Sequence, residues 1–200
     1  MAITTIFEFA ILIFSIVIHE ISHGYMANYL GDPTAKYAGR LTLNPVKHID
    51  PFGSIILPLL SFFTGGFIIG WAKPVPYNPY NLKNGKVGEA LVALAGPLSN
   101  LAIVLIFTVI IRAGQSFLAP SFVLISSFVV YINLVLMFFN LIPLFPLDGF
   151  RILFSLLPVR FQYLKEWLER YSLFLILILV FFFLQPFSYF INFLFNILIP

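Results

Sequence analysis

The sequence predicts an all-α polytopic membrane protein, and three observations lead there. Hydrophobic residues make up 60% of the 200-residue chain and charged residues 10%, against roughly 45–50% and about 25% in soluble domains. Mean hydropathy over the whole chain is +1.01, so lipid is the solvent for most of it. The apolar residues fall in long runs, and the loops between them carry the basic residues. This composition excludes a soluble enzyme, a nucleic-acid binder and a disordered chain. The net charge of +3 is too small to indicate a polyanionic partner.

The first span runs from Ile3 to about Tyr25 and continues to a stop at Gly31-Asp32-Pro33. It lacks the basic n-region and small-residue cleavage site of a signal peptide, and its apolar run carries His and Glu. It therefore reads as a retained transmembrane helix. A polar loop, Asp32 to Pro51, follows. Gly53 to Gly70 is apolar again but is interrupted by Pro58 and Gly65-Gly66. Trp71 to Gly88 is rich in Pro and Asn. Two clear spans come next, about Gly88 to Ile111 and about Ser121 to Ile142, joined by a short turn. Pro143 to Arg170 is polar and basic, with Trp167 placed as an interface anchor. In the last apolar stretch, Tyr171 to Pro200, Gln185-Pro186 marks a break into two pieces. Each is short of the roughly 20 residues a full crossing needs, so the number of crossings there stays open.

Ionisable residues inside a span are costly in lipid and mark function. Glu8, near the chain start, reads as interfacial. His19-Glu20-Ile21-Ser22-His23 is different: it is an H-E-x-x-H pattern on a helix. Residues at i and i+4 share a face, so both imidazoles reach one metal ion. Glu20 then sits beside the metal as a candidate general base. A catalytic zinc takes three protein ligands. The chain has no cysteine and only three histidines, so the third ligand is expected to be a carboxylate. Asp148 is the best candidate. It ends the stretch Asn140-Leu-Ile-Pro143-Leu-Phe-Pro146-Leu147-Asp148-Gly149, where two prolines forbid regular helix. Irregular backbone at membrane depth is tolerated only against protein or a water-filled cavity. Taken alone, Asp148-Gly149 fits a turn as well as a ligand.

Depth and charge favour the ligand. His19 lies some 24 Å along its span, past the middle of a core about 30 Å thick. Asp148 returns to that side if Gly53–Gly70 dips into the membrane and comes back. In that arrangement Lys36, Arg40, Lys47, Lys73, Lys83, Lys86, Arg151, Arg160, Lys165 and Arg170 share one side, and only Arg112 is opposite. If the segment crosses, the 11 basic residues divide four against seven. The positive-inside rule prefers the first arrangement and places the site near the cytoplasmic face of the cell membrane. Asn100, within Gly96-Pro97-Leu98-Ser99-Asn100 of the second span, and Asn140, where the third ends, could each hold a substrate backbone or simply bridge helices. Asn133 reads as interhelical packing.

Together these motifs resemble the site-2 protease family of intramembrane zinc metalloproteases. The resemblance runs from about residue 10 to 155 and rests on H-E-I-S-H, Gly-Pro-Leu-Ser-Asn and N-x-x-P-x-x-P-L-D-G. It implies zinc held by His19, His23 and Asp148, with Glu20 as general base. It implies a core of three transmembrane helices and a membrane re-entrant extended hairpin suiting Gly53–Pro76, followed by one or two further C-terminal apolar helices. The whole chain, 1–200, then reads as one integral-membrane metalloprotease domain, with a catalytic core at about 1–155 and a membrane segment at about 171–200. The expected substrates are transmembrane segments of membrane proteins, and the resemblance is to small members without a PDZ or CBS domain. The competing readings are a membrane metal carrier using the same three ligands, or an inactive protease-like scaffold. Glu20 argues against both, because neither needs a carboxylate beside the metal rather than on it. Substrate identity and oligomeric state are not legible.

Overall fold

The computed structural model describes residues 2–56 and 72–199. The dip and extended hairpin expected between Gly53 and Pro76 therefore lie largely outside the described residues. Among the described residues all the regular structure is helical, with no strand. Its helices are α1 (Ala2–Tyr29), α2 (Thr34–Tyr37), α3 (Gly85–Gly114), α4 (Pro120–Asn140), α5 (Asp148–Leu156), α6 (Gln162–Arg170), α7 (Ser172–Ile178) and α8 (Leu184–Leu198). Four helical runs are long and apolar enough to cross a membrane: Ile6–Tyr29, Gly85–Gly114, Pro120–Asn140 and Ser172–Leu198. The protein is a multi-pass membrane protein.

The break expected at Gln185-Pro186 is a change of winding and not an end. Leu179–Phe183 is a π-helical turn that joins α7 directly to α8. Pro186 sits in the first turn of α8, where the missing N–H does least harm. A turn with i→i+5 bonding absorbs the misfit, so one run of 27 residues results.

Helix α3 is central and packs against α1, α4 and α5. Its buried face is built from Gly88, Ala90, Ala93, Ala95 and Gly96, small residues that let neighbouring backbones approach. The polarity of the bundle is turned outside in. Phe7, Phe14, Leu105, Val109 and Phe181 are exposed, whereas Ser15, His19, His23, Asn100, Ser126 and Asn133 are buried. Lipid imposes this: apolar surface is at no disadvantage outside, and polar groups find partners only inside. Along α1 the buried row Ser15, His19, His23, Ala27 repeats every four residues and so forms a single stripe.

Helix α1 stops at Gly31, whose φ of +104° suits a residue without Cβ. The next residue, Asp32, is fully enclosed. Its carboxylate accepts from Thr34 Oγ1 at 2.5 Å, Asn78 N–H at 2.6 Å and Asn81 Nδ2 at 2.9 Å. Burial pushes the Asp32 carboxyl up, but these donors outweigh it and hold it below its usual range. The Lys73 N–H donates to His48 O at 2.9 Å, and Arg40 Nη2 to Lys73 O at 2.7 Å. Residues 48 and 73 thus meet at the same end of α1. Lys86 Nζ reaches Leu157 O there as well. Arg112 instead donates to the carbonyls of Ile197 and Leu198, at the other end of α3.

Candidate metal centre

Three buried side chains from two distant parts of the chain converge inside the bundle. His19 and His23 come from one face of α1, and Asp148 from the first turn of α5. His19 Nε2 lies 3.0 Å from Asp148 Oδ2, and His23 Nε2 lies 3.3 Å from the same oxygen. One ligand atom from each residue falls within 4.8 Å of the others. Donors at zinc bonding distance in a tetrahedral shell are separated by about 3.3 Å. The stretch ahead of Asp148 is irregular, as its prolines require, and largely bonds to itself: Leu144 N–H to Ile142 O, Leu147 N–H to Leu144 O. Gly149 is required there, since a Cβ would lie 2.1 Å from the Leu141 carbonyl oxygen.

The far side of each ring is also committed. His23 Nδ1–H donates to the Val92 carbonyl at 2.7 Å. His19 Nδ1–H donates to Asn100 Oδ1 at 2.5 Å. With both Nδ1 atoms protonated, a neutral imidazole offers only its lone pair at Nε2. Two lone pairs and a carboxylate oxygen then face one another inside the bundle. A cation between them relieves that repulsion, and the His–His–Asp donor set suits a divalent metal. Space is kept for it. A Cβ on Gly96 would stand 2.4 Å from His23 Nε2 and 2.5 Å from His19 Nε2. The residues present fit zinc.

Glu20 stands outside this cluster. It is half-buried, and its Oε2 accepts the Val75 N–H at 2.9 Å. Asn100 is fully enclosed, and beyond His19 its Nδ2 donates to Asn133 Oδ1 at 2.7 Å. Both ends of the Asn100 side-chain amide thus meet side chains inside the bundle. Asn140 is half-buried at the end of α4, and its Nδ2 donates to Leu136 O in the same helix. Sequence reasoning missed the partners of these residues: Val92, Val75, Ser15 and the part played by Asn133. Ser15 was findable, standing four residues before His19 on the metal-facing stripe.

Fold and site define a membrane-embedded metallopeptidase class, and comparison with known proteins agrees. Residues 111–183 match Peptidase family M50. "Putative zinc metalloprotease YwhC" of Bacillus subtilis is 41% identical over 175 residues, 84% of this chain and 77% of that protein. "Putative zinc metalloprotease Rip2" of Mycolicibacterium smegmatis is 31% identical over 139 residues, 68% of this chain and 51% of that protein. "Zinc metalloprotease MJ0392" of Methanocaldococcus jannaschii is 28% identical over 158 residues, covering 79% of this chain and 36% of that protein. No solved structure matches the chain. The chain belongs to peptidase family M50, the site-2 protease family.

Proposed function

We propose that this peptidase is an intramembrane zinc metalloprotease that cuts peptide bonds within or near the transmembrane segments of membrane-protein substrates. The observation that carries the reading is the convergence of His19, His23 and Asp148 inside a bundle of membrane-spanning helices, with a half-buried Glu20 beside it. His19, His23 and Asp148 hold the zinc. When bound, it supplies Lewis acidity toward the scissile carbonyl and makes water a nucleophile near neutral pH.

Glu20 is the general base. The Val75 N–H fixes its Oε2 and so orients the carboxylate, which takes the proton of the attacking water and delivers it to the leaving nitrogen. Asn140, at the helix end that leads to Asp148, holds the extended substrate backbone. A cleft of about 400 Å3 lined by Tyr77, Lys86, Glu89 and Arg151 reaches Phe150, two residues from Asp148. The gathering of basic loops at the Asp32 end supports a site near the cytoplasmic face of the cell membrane. The test is membrane proteomics comparing wild type with Glu20→Gln. Fragments cut within a span are expected from wild type only, with a loss of roughly 10²–10⁴ in cleavage rate, and zinc content should be equal. A variant that cleaves a verified substrate normally removes Glu20 as base. One that loses zinc makes Glu20 a ligand.

A further inference from the structure

We infer that Asn133, acting through Asn100, is a positioning residue that dictates which nitrogen of His19 faces the metal. The inference rests on the reading of His19 as a metal ligand. Four side chains form one buried chain across three helices. His19 Nδ1 is 2.5 Å from Asn100 Oδ1, and Asn100 Nδ2 is 2.7 Å from Asn133 Oδ1. Asn133 Nδ2 is 2.9 Å from Ser15 Oγ and 2.8 Å from the Val129 carbonyl oxygen. Ser15 and His19 belong to α1, Asn100 to α3 and Asn133 to α4. Asn100 and Asn133 are wholly inaccessible, and Ser15 and His19 nearly so.

Such a chain has a direction. An amide can turn over and exchange its oxygen for its nitrogen, and an imidazole can move its proton. A backbone carbonyl can do neither: it only accepts. The Val129 oxygen therefore demands the nitrogen of Asn133. That leaves the Asn133 oxygen toward Asn100, which must answer with its own nitrogen. The Asn100 oxygen then faces His19, which must carry its proton on Nδ1. Nε2 is left as a bare lone pair beside Asp148. The ordinary peptide unit at Val129 thus sets the tautomer of a metal ligand three hydrogen bonds away. His23 needs no such relay, because its Nδ1–H meets the Val92 carbonyl directly.

The full-length protein in nanodiscs tests this by ¹⁵N NMR of its three histidines in the zinc-free state, with zinc as the probe in chelator competition. His19 is expected to carry a proton on Nδ1 in wild type, since Asn100 Oδ1 accepts there. Asn133→Leu, similar in size but without polar atoms, should populate the Nε2–H form and raise the zinc Kd on the order of 10–100-fold. Asn133→Asp restores the direction, since a carboxyl kept protonated by burial donates to Val129 and accepts from Asn100; its Kd should stay near wild type. Val130→Ala, a cavity made beside Asn133 in the same helix, should lower thermal stability and leave Kd and tautomer alone. A wild-type His19 with no proton on Nδ1 overturns the proposal whether or not any variant folds. So does Asn133→Leu with wild-type Kd and tautomer, or Asn133→Asp as impaired as a folded Asn133→Leu. Failure of wild type to bind zinc would instead count against His19 as a ligand, and the tautomer measurement would still judge the relay.

Discussion

The contact that α3 makes with α1 differs in kind from the contact that α4 makes with the C-terminal run. Between α1 and α3 the meeting surfaces are small or polar: Gly96 against two imidazoles, Asn100 against His19, the Val92 carbonyl against His23. Between α4 and α8 they are large and apolar. Ile191 is fully buried in a cluster with Val130 and Leu134 of α4 and with Val104 and Ile111 of α3, and Tyr131–Phe195 and Phe138–Phe190 meet edge to face at centroid distances of 5.5 and 5.0 Å. Lipid tails compete well with an apolar contact and poorly with a hydrogen bond. The first region therefore fixes atoms in place, and the second only keeps helices adjacent. Two of the three cluster side chains, His19 and His23, lie in the first, and Asp148 joins them from α5.

Four substitutions break or sharpen that contrast, ordered by their expected effect on the metal. Asp148→Ala removes a ligand and should abolish stoichiometric zinc by elemental analysis, and hydrolysis with it. Retained zinc would return Asp148-Gly149 to the status of a turn. Gly96→Ala adds one methyl group where two fixed nitrogens stand within 2.5 Å. Its zinc Kd should rise on the order of 10–100-fold, comparable with loss of a supporting partner, although a Gly→Ala change in mid-helix otherwise favours folding.

Asp32→Asn acts outside the cluster, on the knot that ties the end of α1 to residues 78 and 81. Unfolding in detergent should show a loss of about 1–3 kcal/mol at neutral pH, with zinc stoichiometry kept. The sign with pH follows from the depressed folded pKa of Asp32. The carboxylate's contribution is complete above the unfolded value of about 3.9 and fades as pH falls through the lower folded value. The stability gap between wild type and Asp32→Asn should therefore be flat near neutrality and narrow only at the acid end. Ile191→Ala stands for the second region. Its zinc Kd should not move, and its stability should fall toward the low end of the roughly 2–5 kcal/mol seen for such cavities, since lipid replaces part of the lost contact. A shift in zinc affinity here would show that the two regions are not separable.

Much of the first region was legible because its rules are local. The i, i+4 spacing of His19 and His23 fixes their shared face whatever surrounds them. Pro143 and Pro146 announce a helix end, and the positions of the basic residues then bring Asp148 to the depth of the histidines. The positions of Asn100 and Asn133 were visible too, but their partners were not. The contact of Asn133 with Ser15 spans 118 residues, and no periodicity encodes which of several buried amides meets which. The Val75 N–H on Glu20 is hidden for the same reason: a backbone donor leaves no mark in the sequence. Gln185-Pro186 misled in the opposite sense. Proline in the helix interior is a sound sign of a break, yet a π turn just before it lets the helix run through.

Asp148 and His19 are 129 positions apart in a chain that contains no cysteine. In secreted proteins a separation of that order is closed by a disulfide, which restricts the unfolded chain more as the loop it closes lengthens. On the proposed zinc site, a divalent ion shared by α1 and α5 would serve as the clasp. Its bonds tie the first helix of the bundle to one made only after two further crossings have been synthesised. Unlike a disulfide, the clasp opens to a chelator or a proton and closes again without an oxidant. On that reading the metal would close the core only once α1 and α5 stand together, as His19 and Asp148 do in this fold.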